Sequence, residues 1–315
     1  MSYEMTTRTG KSFWDMTSVM QNSIRKGDFE IAGDCMWELI PKYTPYLRKR
    51  LLVISAEDCF GVITKEILQL SKIGDEEALT RALALMCLAK KNRDADYVCC
   101  NLMYADDPTF LDKEELGRSL FQAIRRMDVI GAGHIGYELY QKNRKKLWET
   151  LCQIAEVYYP HLLPEIKALY ESNELMTKPA EETIFAAKAL VLLWTERDPK
   201  EGLLGWSEMS FYDPLDPLMI PVPKMLCDCH HVVGNYPDWA YNWHTKRGKY
   251  VLRRDTIHAI ANDQKLLTPL EENLFDDCSW NRDHNICLNR WNPKHVPLPY
   301  NDGKIDPAVK YGTKD

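Results

Sequence analysis

The sequence predicts an all-α protein: a tandem-duplicated helical bundle followed by an irregular or helical C-terminal segment. Three observations predict it. Apolar residues recur at three- and four-residue steps through the first two hundred positions. β-Branched alternating runs bounded by turn residues are scarce, so few strands, if any, are expected. The chain also matches itself at a fixed shift.

Phe13, Met16, Met20 and Ile24 form the first apolar stripe. Ile31, Cys35 and Leu39 form a second, and Leu47, Leu51 and Ile54 a third. Gly74-Asp75-Glu76-Glu77 offers a capped, acid-rich start to a helix through Ala78 to Leu88. A shift of 100 residues then places Ile24-Arg25 on Ile124-Arg125, Asp28 on Asp128, and Ala32-Gly33 on Ala132-Gly133. Glu38-Leu39, Lys42, Leu47, Leu51 and Ile54 also recur, giving eleven identities between positions 24 and 54 without a gap. After five more residues of offset, Glu76-Glu77 matches Glu181-Glu182, Ala82 matches Ala187, and Ala84-Leu85 matches Ala189-Leu190. Most shared positions are apolar or small and helically spaced, which marks a repeated packing unit. Residues 12–105 and 112–198 therefore read as two related units, 199–300 as a Trp-, His- and Cys-rich segment, and 301–315 as a polar tail.

The 315 residues are 45% hydrophobic and 27% charged, which argues against wholesale disorder. A net charge of −6 confines any nucleic-acid contact to a local patch. No apolar run has membrane-helix length, and Met1 to Lys11 is polar, so the expectation is a cytoplasmic chain without a membrane partner. Most of the ten cysteines sit in apolar helical patterns and read as reduced core residues. No cofactor is expected.

Several motifs resemble chemistry. Gly131-Ala132-Gly133-His134-Ile135-Gly136 has dinucleotide-loop spacing, but helical patterns flank it and its counterpart is Ile31-Ala32-Gly33. The expectation is close helix packing. Gly10-Lys11-Ser12 resembles the tail of a phosphate loop, without its first glycine or preceding strand. Glu57 and Asp58 are expected to cap the next helix or to pair with Arg48 or Arg50. No catalytic residue is assigned.

Cys227-Asp228-Cys229-His230-His231 carries zinc-preferred ligand types, with Cys227 and His231 sharing a helix face. Its spacing differs from common zinc sites, so a helix with polar edges is the plainer reading. The densest basic and aromatic patch runs from Asp238 to Lys249 and on to Arg253-Arg254. His244, Lys246, Arg247, Lys249, Arg253 and Arg254 could hold an anion or nucleic acid beside stacking aromatics. The plainer reading makes them a solvated turn around core aromatics.

Phe13-Trp14-Asp15-Met16, Ser23-Ile24-Arg25-Lys26-Gly27-Asp28, Leu51 through Asp58 and Cys87 through Asn92 occur in an order that resembles the C-terminal helical region of RarA/MgsA-type AAA+ ATPases. The resemblance covers about a third of the chain, residues 12–105. The turn before Gly61 is one residue longer than the family pattern, and the ATPase module is missing. Stand-alone relatives in bacteria and phages carry a later motif that is similar to His244-Thr245-Lys246-Arg247-Gly248-Lys249. The resemblance implies a self-associating, tetramer-forming helical module near DNA replication or repair, with a nucleic acid or a replication protein as partner. It does not imply ATPase activity. Two other readings stand beside it: a metal-dependent enzyme using the Cys- and His-rich segment, and an inhibitor or decoy that binds a host factor.

Overall fold

The computed structural model describes residues 5–40, 42–59, 61–91, 94–99, 103, 109–126, 128–177, 179–195, 236–237, 240–241, 280–281 and 286–287. Among them lie ten helices: α1 (Phe13–Lys26), α2 (Phe29–Leu39), α3 (Thr44–Asp58), α4 (Thr64–Ile73), α5 (Glu76–Leu88), α6 (Asp94–Tyr97), α7 (Lys113–Arg126), α8 (Val129–Tyr158), α9 (Leu163–Glu174) and α10 (Pro179–Thr195). A two-residue antiparallel pair, β1 (Trp280–Asn281) with β2 (Ile286–Cys287), is the strand content of the described residues. No helix among them is long and apolar enough to cross a membrane.

The chain divides into two compact units. One comprises Met1–Ser55, Glu66–Lys91 and Asp213–Asp277. The other comprises Ala56–Lys65, Asn92–Tyr212 and Cys278–Asp315.

In the first unit, short polar residues start the helices. Ser12 accepts the Asp15 N–H, Asp28 the Ile31 N–H, and Asp75 the Ala78 N–H. α1 ends at Gly27, whose φ of 77° lets the chain turn back while the Asp28 N–H reaches Ser23 O. A Cβ at Gly27 would also crowd Cys87 O at 3.1 Å. α1, α2 and α5 pack together. Met20, Ile24, Cys35 and Leu39 of the expected stripes are fully buried, Ile31 is half-buried, and Val19, Ala32, Met36, Leu79 and Leu83 complete the core.

In the second unit, Asp112 accepts the N–H groups of Glu114 and Glu115, while Glu115 accepts the Asp112 N–H, a reciprocal cap for α7. Asp128 caps α8 through the Gly131 N–H. α8 is two helical arms. Asn143 is extended (φ −159°, ψ 87°), and its Oδ1 accepts the Lys146 N–H to begin the second arm. α8 packs against α7, α9 and α10. Trp148, fully buried, donates to Asn173 Oδ1 at 2.9 Å and stacks on Tyr170. The glycine-rich stretch lies inside α8. Gly136 faces Leu190 and Leu120, where a Cβ would sit at 3.4 and 3.8 Å. Gly131 makes room for the capping Asp128 carboxylate. These glycines serve packing and capping, and the strand that a dinucleotide loop needs is replaced by α7.

Candidate functional site

Three polar groupings in the described residues could carry chemistry. The first lies in the first unit, where α1 and α2 receive the segment holding Tyr236, Pro237, Ala240 and Tyr241. Tyr236 is 3% exposed and donates its hydroxyl to Asp34 Oδ2 at 2.5 Å. Lys11 Nζ donates to the same hydroxyl at 3.0 Å and lies 3.8 Å from Asp34 and 3.3 Å from Glu38. Asn22 on α1 donates to Ala240 O at 3.1 Å. Burial pushes the Tyr236 hydroxyl far above its ordinary range, and Cys35 and Asp34 add to the effect. Burial likewise raises the Cys35 thiol well beyond physiological pH, leaving it an inert core group. Lys11, the lysine of the phosphate-loop-like triplet, is thus engaged with two carboxylates and a phenol, and Ser12 caps α1.

Glu38 closes this grouping. It accepts Thr7 Oγ1 at 2.8 Å, Thr9 Oγ1 at 2.5 Å and the Thr9 N–H at 3.1 Å. Burial alone would raise its pKa. The hydrogen bonds from Thr9 and Thr7, with the Lys11 charge, outweigh burial and leave it below 4.5. Glu138 in the second unit is held in the same way: it accepts the Thr109 N–H at 2.9 Å and pairs with Lys142 at 2.7 Å. Burial opposes its ionisation, and the Lys142 and Thr109 hydrogen bonds prevail, so its pKa also lies below 4.5.

The sign follows directly. The unfolded chain takes up these protons first as pH falls, so the stabilisation is complete above about pH 5 and disappears as pH drops through the lowered folded values. Denaturant unfolding at pH 7 and pH 3.5 should show stability falling with acid. In Glu38→Gln and Glu138→Gln that fall should be smaller, because one linked carboxylate is gone. An unchanged pH dependence in both variants would refute the assignment.

The second grouping surrounds Lys188 in the second unit. Lys188 is 2% exposed and donates to Cys59 O at 2.6 Å. Burial lowers its pKa, against the opposing fields of Cys59, Glu165 and Asp94. Glu165, 3% exposed, accepts the Thr64 N–H at 2.8 Å and the Lys65 N–H at 2.9 Å, which caps α4. The sequence led us to expect Glu57 and Asp58 to cap the next helix or to pair with Arg48 or Arg50. Glu165 bonds the first two N–H groups of α4, and Arg48 donates to Ser71 O and Lys72 O. Arg50 donates to Gln21. Ser55 and Asp58 are wholly buried, and Glu57 is half-buried. Lys91 of the Lys90-Lys91-Asn92 stretch spends its ammonium on the last carbonyls of α5: Met86, Cys87 and Ala89.

The third grouping is an open depression of about 390 Å³ over the α7–α8 turn. Its walls include Arg118, Ser119, Gln122 and Arg126 from α7, with Asp128 and Ile135 from α8. Arg118, Gln122 and Arg126 are exposed. The sequence reading missed this site. Its signal was the i, i+4, i+8 spacing of Arg118, Gln122 and Arg126, which is also what a solvated helix face looks like.

His244, Lys246, Arg247, Lys249, Arg253 and Arg254 lie outside the described residues, as do Cys227 and His231. Among the described residues, no group of three His, Cys, Asp or Glu side chains could hold a metal ion. Cys35, Cys59, Cys87, Cys99 and Cys152 are free thiols. No protein-family model, no curated protein and no solved structure matches the chain.

Proposed function

We propose that the chain is a non-enzymatic assembly module: a helical unit duplicated in tandem, which self-associates and works beside proteins of DNA replication or repair. The observation that carries the reading is a shared polar staple. Thr9 N–H to Glu38 recurs as Thr109 N–H to Glu138, at the same 100-residue offset as the apolar identities. Polar contacts of this kind are not demanded by helicity, so their recurrence supports common descent of the two units.

Backbone details point the same way. α1 and α7 begin and end 100 residues apart, as do the starts of α2 and α8. The break at Asn143 falls where the α2–α3 turn falls. Gly10 has φ +88°, and its counterpart Phe110 keeps φ +61°, an unusual backbone for a bulky side chain. The buried, structurally used polar residues of the Ser55–Asp58 and Lys91 motifs favour a scaffold over a catalyst. Large apolar side chains left in solvent favour association: Trp14 is 55% exposed, Ile73 63% and Leu88 60%. The link to replication and repair, and the tetramer, rest on the resemblance to the RarA/MgsA-type helical region.

Light scattering at micromolar concentration tests the proposal, with a defined oligomer, a tetramer first, as the expected result. A clean monomer would overturn the assembly role. Salt-dependent binding to a short DNA, lost in Arg247→Ala/Lys249→Ala, is expected if the partner is nucleic acid.

A further inference from the structure

The two units differ in one functional respect. In the first, Tyr236 and Ala240 lie against α1 and α2, and Asn22 beneath them is 5% exposed. In the second, the depression over α7 and α8 is open among the described residues. Its Gln122 stands 100 residues from Asn22 and is exposed, and its Ile135 stands 100 residues from Cys35, which Tyr236 covers. His134 takes the place of Asp34, the acceptor of the Tyr236 hydroxyl. The rim also gains a cation: Ser18 becomes Arg118, while the positive charge of Lys26 is kept by Arg126. Among the described residues, neither Arg118 nor Arg126 forms an ion pair.

We infer that the α7–α8 groove is a peptide-docking site for an extended segment of a partner protein that carries an aromatic side chain beside a carboxylate. The inference rests on the duplication reading, which makes the filled groove a template for the one that the described residues leave open. The template fixes the aromatic: Tyr236 enters between the two helices and buries its ring. The charge fixes the carboxylate. The second unit's depression offers two exposed arginines, Arg118 and Arg126, against one carboxylate, Asp128, an excess that would repel a cationic segment and pair with an acidic one. A volume of about 390 Å³ accommodates one aromatic ring and its neighbours. The chain's own sequence Tyr236-Pro237-Asp238-Trp239-Ala240-Tyr241 has this chemistry, but its Tyr236 and Ala240 are engaged by the first unit.

The probe is therefore a fluorescein-labelled synthetic peptide with the sequence of residues 234–243, titrated into the full chain and read by anisotropy. The first unit's groove stays closed to it, because the tethered segment holds a high effective concentration there. Saturable one-to-one binding is expected, weakened about tenfold or more by Arg118→Glu/Arg126→Glu and by replacing the peptide's Asp238 with Asn. Both arginines are exposed, so the variant should keep its helical circular dichroism. No binding overturns the proposal. So does loss of binding in Asp34→Asn with none in the arginine variant, which would place the peptide in the first unit. A single-stranded oligonucleotide that displaces the peptide from Arg118 and Arg126 also overturns it, in favour of a phosphate site. The duplication reading fails separately, if experimental coordinates of residues 12–58 and 112–158 do not superpose.

Discussion

Glu165→Ala should cost about 2–4 kcal/mol, because it strips the partner from the buried Thr64 N–H and the half-buried Lys65 N–H at once. The carboxylate bonds Thr64 N–H at 2.8 Å and Lys65 N–H at 2.9 Å, and it is 3% exposed. Water cannot replace it without opening the packing around α4. The positive end of the α4 dipole loses its compensating charge as well. Denaturant unfolding gives the total, and amide exchange at Thr64 and Lys65 localises it: both protons should lose protection before the rest of α4. Glu165→Gln is the discriminating control. Its amide oxygen can still accept one N–H, so it should recover roughly half the loss. Equal losses in the two variants would mean that the cap is not the reason Glu165 is buried.

That cap also marks where sequence reasoning stops. The helices themselves were legible, because burial imposes a period. Met16, Met20 and Ile24, and Leu47, Leu51 and Ile54, stand where a single buried stripe requires them, and all are almost completely enclosed. Asp75 was legible as a cap because its partner, Ala78, is three residues away. Glu165 caps a helix that starts 101 residues before it, and nothing local distinguishes it from a surface glutamate. The 100-residue identities suggested a repeat through apolar positions, yet the polar pair that most supports the proposal involves Thr9 and Thr109, which precede α1 and α7 and lie outside the aligned stretch. The α7–α8 groove was hidden for a related reason. Polar residues at helical spacing read as a solvated face until the neighbouring turn shows that they surround a depression. Lys11 had no such signal: the sequence argued against a phosphate loop there, and only the fold brings Asp34, Glu38 and Tyr236 to it.

Replacing Lys188 should separate the cost of a buried charge from the cost of a hole. Lys188→Ala removes a fully enclosed four-carbon stem and leaves Cys59 O without its donor, so a loss of about 2–5 kcal/mol is expected, as for other large-to-small core changes. Lys188→Met keeps most of that volume and removes the charge. Replacing buried ionic groups with apolar residues of similar size is often neutral or stabilising, by about 1–4 kcal/mol. Here the lost hydrogen bond to Cys59 O reduces the gain, so Lys188→Met should lie within about 1 kcal/mol of the parent at pH 7. The pH dependence supplies the independent sign. Burial holds the folded-state pKa of Lys188 below its ordinary 10.5, so between the two values the unfolded chain binds more protons than the folded one. Raising the pH through that window therefore stabilises the parent relative to Lys188→Met. Stability curves of the two proteins should converge or cross as pH approaches 10. Parallel curves would mean that Lys188 titrates as a solvated lysine does, and that its ammonium reaches water in the folded protein.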